Sequence, residues 1–137
     1  MSRFSPFILA MTFCMAIATA THAASMDNKD TAILMALDKV TARSTRLAIP
    51  VGTQTGYKTL RITVRACQKS TPLEAPESAA FVEIAELHDL DQASTLFSGW
   101  MFASSPALSA MDHPVYDIWV LDCTGKTLPA DLPINLP

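Results

Sequence analysis

The stretch Leu60-Arg-Ile-Thr-Val-Arg-Ala-Cys67 alternates apolar and polar residues and contains the β-branched residues that suit a pleated surface. This period of two predicts a strand with Arg61 and Arg65 on one face and Cys67 at its end. The opposite, apolar face of the predicted strand is made of Leu60, Ile62, Val64 and Ala66.

A second strand is predicted at Val115–Cys123, between Pro114 and a Thr-Gly turn. It also ends in a cysteine. A bridge to Cys67 would tie the two strand ends together if the strands are neighbours in one sheet.

Two further segments fit a helix stripe and a strand face equally well: Ile33–Val40 and Ser78–Leu87. Helix propensity slightly favours helices. The extended run Arg46–Gly52 and the regular spacing of short strands favour an all-β fold, so we predict strands in both. One short helix is predicted at Ser105–Met111, with Ser105 as its cap and Pro106 at its first position.

The first 23 residues have the order of a secretory signal peptide: Arg3 in a basic region, an apolar run over 7–20, and small residues up to Ala23. The alternative is a membrane anchor, but the run is shorter than the roughly 20 residues that span a bilayer. We therefore expect cleavage after Ala23 and a periplasmic protein. Beyond it we expect a flexible leader (24–30), one β domain (31–125) and a Pro-rich extended tail (126–137), with no membrane span after cleavage.

The chain has a formal net charge of −3, and cleavage would remove Arg3. An acidic domain argues against nucleic acid or an anionic membrane surface as a partner, because proteins bind both through basic patches.

The fold class expected is all-β: a single small sandwich or open barrel with one short helix, preceded by the signal peptide.

Two cysteines remain in the expected mature chain, Cys67 and Cys123, and an even count in a small exported domain indicates one structural disulfide. A redox-active pair and a metal site are the alternatives. Redox pairs usually lie as Cys-x-x-Cys, and zinc ligands have short spacings that are absent here.

Three groups of residues could carry chemistry or binding. Ser105 or Ser109 with His113 contains the residue types of a hydrolase, although no Gly-x-Ser-x-Gly turn is present. Glu86 with His88-Asp-Leu-Asp91 could hold a divalent ion, but it lacks the spacing of a calcium loop and reads as a solvated turn. We predict no catalytic residue, metal or cofactor.

The third group is aromatic and could bind a glycan, a peptide or another envelope protein if it is exposed on a sheet face. The alternative is that these side chains fill the core. Its members are Phe97, Trp100, Phe102, Tyr116 and Trp119.

The run Phe97–Cys123, with Leu37–Thr41, Leu60–Cys67 and Ala79–Ile84, resembles a bacterial family known as domain of unknown function 2155. The resemblance spans about Ile33 to Cys123 and implies an exported alphaproteobacterial protein with a signal peptide. Ala42 stands where we expect a glycine in the family. The family assigns no activity, so the function expected is a non-catalytic periplasmic accessory or binding protein, with the hydrolase as the alternative.

Overall fold

The computed structural model describes residues 23–88 and 92–125. They form two antiparallel sheets, which confirms the all-β prediction, and the sheets do not close into a barrel. The strands are β1 (Met26–Asn28), β2 (Thr31–Asp38), β3 (Arg43–Pro50), β4 (Gln54–Tyr57), β5 (Leu60–Ser70), β6 (Ser78–His88), β7 (Gln92–Phe102) and β8 (Tyr116–Thr124).

One sheet has five strands in the order β1-β5-β6-β7, with β4 also pairing to β5, and the other has the order β3-β2-β8. Within the expected leader, Met26–Asn28 pair as β1 with the end of β5. The predicted signal peptide (1–23, all but its last residue) and the Pro-rich tail (126–137) lie outside the described residues. No helix in the described ranges is long and apolar enough to cross a membrane.

Both ambiguous segments are strands, and their burial explains the ambiguity. In β2, Leu34 faces the core and is fully buried, while Met35 and Leu37 face outward and are half-buried. β2 is the central strand of its sheet and is apolar on both faces, so it lacks the alternation of a strand with one solvated face. In β6 the core face follows the expected alternation through Ala80, Val82 and Ile84.

A bulge in β5 corrects the predicted apolar face. Val64 pairs with Val82 and Ala66 pairs with Phe81, so Arg65 is the additional residue. The extra residue reverses the alternation. Cys67 therefore faces the core at 2% exposure and Ala66, predicted to be on the apolar face, is half-buried.

The same device places the second cysteine. Ile33 pairs with Asp122 and Leu34 pairs with Val120, so Leu121 is the additional residue of β8. Val120 and Cys123 consequently face the core together although they are three positions apart. Each cysteine thus follows a buried valine by three residues, across a bulge.

Cys67 and Cys123 form a disulfide, with their Cα atoms 5.7 Å apart. The sequence suggested that the bridged strands could be neighbours in one sheet. They are not, because β5 belongs to the five-stranded sheet and β8 to the three-stranded sheet. Neither cysteine is the last residue of its strand, since β5 continues to Ser70 and β8 to Thr124. The bridge therefore links the two sheets through their shared core.

The predicted short helix is a single turn of 3-10 helix at Pro106–Ser109. Pro106 is near its start as predicted, but Ser105 makes no capping hydrogen bond through its side chain. Ala110 is already extended, so the turn ends earlier than the predicted Met111. Short 3-10 turns lack the length that makes an α-helix stable.

Asp122 joins the sheets by polar contacts beside the disulfide. Its Oδ1 lies 2.8 Å from Nζ of Lys69 on β5 and accepts a hydrogen bond from Oγ of Ser78 on β6 at 3.0 Å. Partial burial opposes the charge of the carboxylate, but these contacts outweigh it and lower the pKa of Asp122 below 3.8.

We expect Asp122→Asn to reduce the free energy of unfolding by about 1 kcal/mol at neutral pH, since the ion pair is partly solvated. A lowered native pKa gives stability above the ordinary value of 3.8 that is lost as the pH falls through the native value. The difference between variant and wild type should therefore vanish in acid, as measured by urea denaturation across pH. Asp117→Asn, on the same strand, is the control and should change stability by less than about 0.5 kcal/mol. A deficit that persists in acid would contradict this role of the charge.

The turn between β2 and β3 contains Ala42 at a φ of 54°, in the left-handed region that favours glycine. The turn is closed by Asp38, whose Oδ1 accepts hydrogen bonds from the backbone N–H groups of Val40 and Thr41 at 3.0 and 3.1 Å. This conformation gives a physical reason for the glycine expected here in the family.

Ala42→Gly should raise the free energy of unfolding by about 0.5–1 kcal/mol, because glycine removes the steric cost of positive φ. Ala42→Val should have the opposite sign, because β-branched residues fit this region worst. Thermal denaturation of both variants tests the pair, and a destabilised glycine variant would show that the turn is not strained.

Candidate functional site

The outer face of the five-stranded sheet has three neighbouring aromatic side chains, one of them exposed. On β7, Met101 is buried, so Trp100 and Phe102 on either side of it face outward. Trp100 is 36% exposed, and Phe102 is half-buried. The Trp100 ring lies 5.7 Å from that of Phe81, its direct neighbour on β6, in an edge-to-face arrangement. We call Phe81, Trp100 and Phe102 the aromatic patch.

A polar pocket of about 340 Å³ lies beside the aromatic patch on the same face. Two positions further along each strand from Phe81 and Trp100, Glu83 is opposite Ser98. Nε and Nη2 of Arg65 both lie 2.9 Å from Oε2 of Glu83, which anchors this pair in the pocket wall. Other hydrogen-bonding side chains of the pocket come from β4 (Gln54), β5 (Arg61 and Thr63) and β7 (Thr95).

The five aromatic residues predicted as one surface lie in three places. Trp100 and Phe102 belong to the aromatic patch. Phe97 and Tyr116 pack against the core, and Tyr116 lies between Tyr57 at 5.8 Å and His113 at 5.1 Å. Trp119 lies on the outer face of the other sheet, because Ile118 and Val120 beside it are buried. Phe81 was not among the residues predicted from the sequence, because only the pairing of β6 with β7 brings it to Trp100.

His113 has both ring nitrogens occupied. Nδ1 accepts hydrogen bonds from the backbone N–H groups of Val115 and Tyr116 at 3.1 and 2.9 Å. Nε2 therefore carries the ring proton and donates a hydrogen bond to Oε1 of Glu86 at 3.2 Å. The ring is buried and holds the chain between the 3-10 turn and β8, and its hydrogen-bonding partners in the described residues include no serine. A hydrolase needs a nitrogen free to accept a serine proton, so this geometry does not support that hypothesis.

The acidic group around His88 is only partly described, because Asp89 and Asp91 lie outside the described residues. Partial burial opposes the charge on Glu86, yet hydrogen bonds from His113 and Thr59 hold its pKa below the ordinary 4.5. Nε2 of His88 lies 2.9 Å from Oγ of Ser94. Within 23–88 and 92–125, no three His, Cys, Asp or Glu side chains are grouped to hold a metal ion.

Two packed antiparallel sheets, one disulfide between them and an aromatic patch beside a polar pocket define a small disulfide-linked β protein. The chain belongs to a family described as an uncharacterized protein conserved in bacteria (DUF2155), whose model matches residues 32–123. This confirms the resemblance stated from the sequence.

A curated relative is the uncharacterized protein RP359 of Rickettsia prowazekii (strain Madrid E), which is 28% identical over 102 residues. The match covers 74% of this chain and 66% of the relative, just under two thirds of its length. The source of this relative agrees with the alphaproteobacterial origin expected for the family. No solved structure matches the chain significantly.

Proposed function

We propose that this protein is a non-catalytic binding protein of the cell envelope, and that it binds its partner at the aromatic patch and the polar pocket. The observation that carries the proposal is Trp100, an indole 36% exposed on a sheet face. Large aromatic side chains exposed among polar groups mark binding surfaces more often than chance, because they supply contact area at a low cost in conformational entropy.

The pocket supports binding because it presents hydrogen-bond donors and acceptors together with a positive and a negative side chain. Arg65 and Glu83 hold each other in position, and Ser98 lies opposite Glu83. A ligand that meets such groups loses little free energy in ordering them. The charges of Arg65 and Glu83 are paired with each other, an arrangement that suits recognition better than proton transfer.

The periplasmic location is part of the proposal. The first 23 residues have the features of a signal peptide, and a buried disulfide that links the two sheets suits an oxidising compartment. N-terminal sequencing of the protein recovered from a periplasmic extract should begin at Ala24. An intact Met1 on cytoplasmic protein would contradict this part.

The binding surface is tested by capture from envelope extracts and on isolated peptidoglycan sacculi, using wild type, Trp100→Ala and Val40→Ala. Val40 is a matched control, because it is 76% exposed in the turn between β2 and β3, away from the patch. We expect a partner held by wild type and Val40→Ala and lost by Trp100→Ala. Capture that is unchanged in Trp100→Ala would reject the surface.

A further inference from the structure

The edges of the two sheets are protected unequally. Natural edge strands avoid unwanted pairing by being short or by having charges or prolines. β1 and β4 have three and four residues, and β3 has two arginines and Pro50. β7 is an edge strand of 11 residues that contains no charge and no proline.

The register shows which backbone groups of β7 are free. Backbone groups alternate between the two sides of an antiparallel strand. Ala103 N donates to Ser78 O at 2.8 Å, so Met101 and Gly99, two and four residues earlier, also bond to β6. The intervening residues direct N–H and C=O away from β6: Ser98, Trp100 and Phe102.

One contact outside the ladder agrees with this assignment. Phe102 O accepts a hydrogen bond from Ser105 N at 3.3 Å, on the side away from β6. The outward backbone groups of Ser98 and Trp100 have no hydrogen-bonding partner in the part of the chain that the structure describes. The exposed indole of Trp100 lies on the same strand, directly beside this open edge.

We propose that the open edge of β7 at Ser98–Trp100 binds an extended, uncharged segment of a partner protein, which adds to the sheet as a further antiparallel or parallel strand. The inference rests on the proposed function and specifies the kind of partner. The N–H and C=O groups of Ser98 and Trp100 would hydrogen bond to the segment, and the indole would contact an apolar side chain of it. Backbone bonds would give affinity, and the aromatic patch would give specificity.

The length of the edge favours such a segment over a second copy of the chain. A bulge at Leu96 interrupts the ladder, and β7 ends at Phe102. About 20 Å of regular strand remains, which suits about six residues of an extended peptide. Pairing of two copies along so short an edge would bury far less than the roughly 800 Å² per partner of a stable dimer.

Hydrogen exchange of the protein purified after expression of the full-length chain tests the edge without any substitution. The amide protons of Gly99 and Met101, bonded to β6, should exchange slowly. Those of Ser98 and Trp100 should exchange fast. Equal protection of all four would overturn the assignment of an open edge.

The binding test uses a phage-displayed library of random 12-residue peptides as the probe, selected on the same protein. Selected peptides should slow exchange of the Ser98 and Trp100 amides. Ser98→Pro removes one outward N–H without removing a bond to β6, and should weaken these peptides about tenfold or more. Ser98→Ala keeps the backbone donor and should bind as wild type does, and circular dichroism checks that both variants fold.

Selected peptides that bind Ser98→Pro and Ser98→Ala equally would reject strand addition, as would a library that yields no binder at this edge. Self-association abolished by Ser98→Pro in sedimentation experiments would assign the edge to a second copy and also reject the proposal. If the envelope partner is lost by Trp100→Ala but retained by Ser98→Pro, the proposed function stands and strand addition fails. If neither variant loses it, both fail.

Discussion

Replacing Cys67 and Cys123 together by alanine is expected to lower the free energy of unfolding by about 4 kcal/mol. The disulfide spans 56 residues, and a cross-link of that span removes a corresponding amount of chain entropy from the unfolded state. Both cysteines are almost completely buried and belong to different sheets. Loss of the disulfide removes this cross-link between the two sheets, and an effect of that size is a large part of the stability of a small domain.

Urea denaturation of wild type and of the double variant measures this effect. Cys67→Ala alone should lose nearly as much as the double variant, because either substitution breaks the same bond. Wild type under strong reductant should approach the same stability. A double variant within about 1 kcal/mol of the oxidised wild type would show that the bridge does not stabilise the fold.

Leu34→Ala should cost about 3 kcal/mol, whereas Leu37→Ala on the same strand should cost less than about 1 kcal/mol. Leu34 is fully buried on the core face of β2, between Leu47 and Val120 on the neighbouring strands. Leu37 faces outward and is half-buried. The same side chain three positions apart thus tests which face of β2 forms the core.

The comparison also separates a strand from a helix in this segment. Two residues that are three positions apart lie on opposite faces of a strand but on one face of a helix. Chemical denaturation of both variants gives the two costs. Equal, large losses would favour a helix with both leucines buried and would contradict the observed strand.

The alternation of apolar and polar residues in β5 and β8 made the all-β fold predictable. The apolar face of Leu60, Ile62 and Val64, for example, follows from a period of two alone. The placement of the cysteines was not predictable. The bulges at Arg65 and Leu121 are visible only when each strand is paired with its neighbour, and a single extra residue reverses every later side chain.

The site was predictable to a similar extent. Tyr116 and Trp119 lie three positions apart on the predicted strand Val115–Cys123, so they cannot share one face. No strand is predicted from the sequence over Gln92–Phe102, so the separation of Phe97 from Trp100 follows only from β7. The partner of Trp100 could not be found in this way, since Phe81 reaches it through the register of β6 with β7. The open edge likewise follows from a hydrogen-bond pattern, which the sequence of one strand does not contain.

We expect the outer face around Trp100 to be where this protein meets its partner, and photo-crosslinking in living cells is the sharpest test of that surface. A photoreactive phenylalanine analogue would replace Trp100 in one strain and Val40 in another. Both side chains are exposed, but Trp100 lies on β7 of the five-stranded sheet and Val40 in the turn between β2 and β3 of the other sheet. We expect one discrete envelope adduct from position 100 and none from position 40. No adduct at position 100, or the same adducts from both positions, would show that this face is not the binding surface.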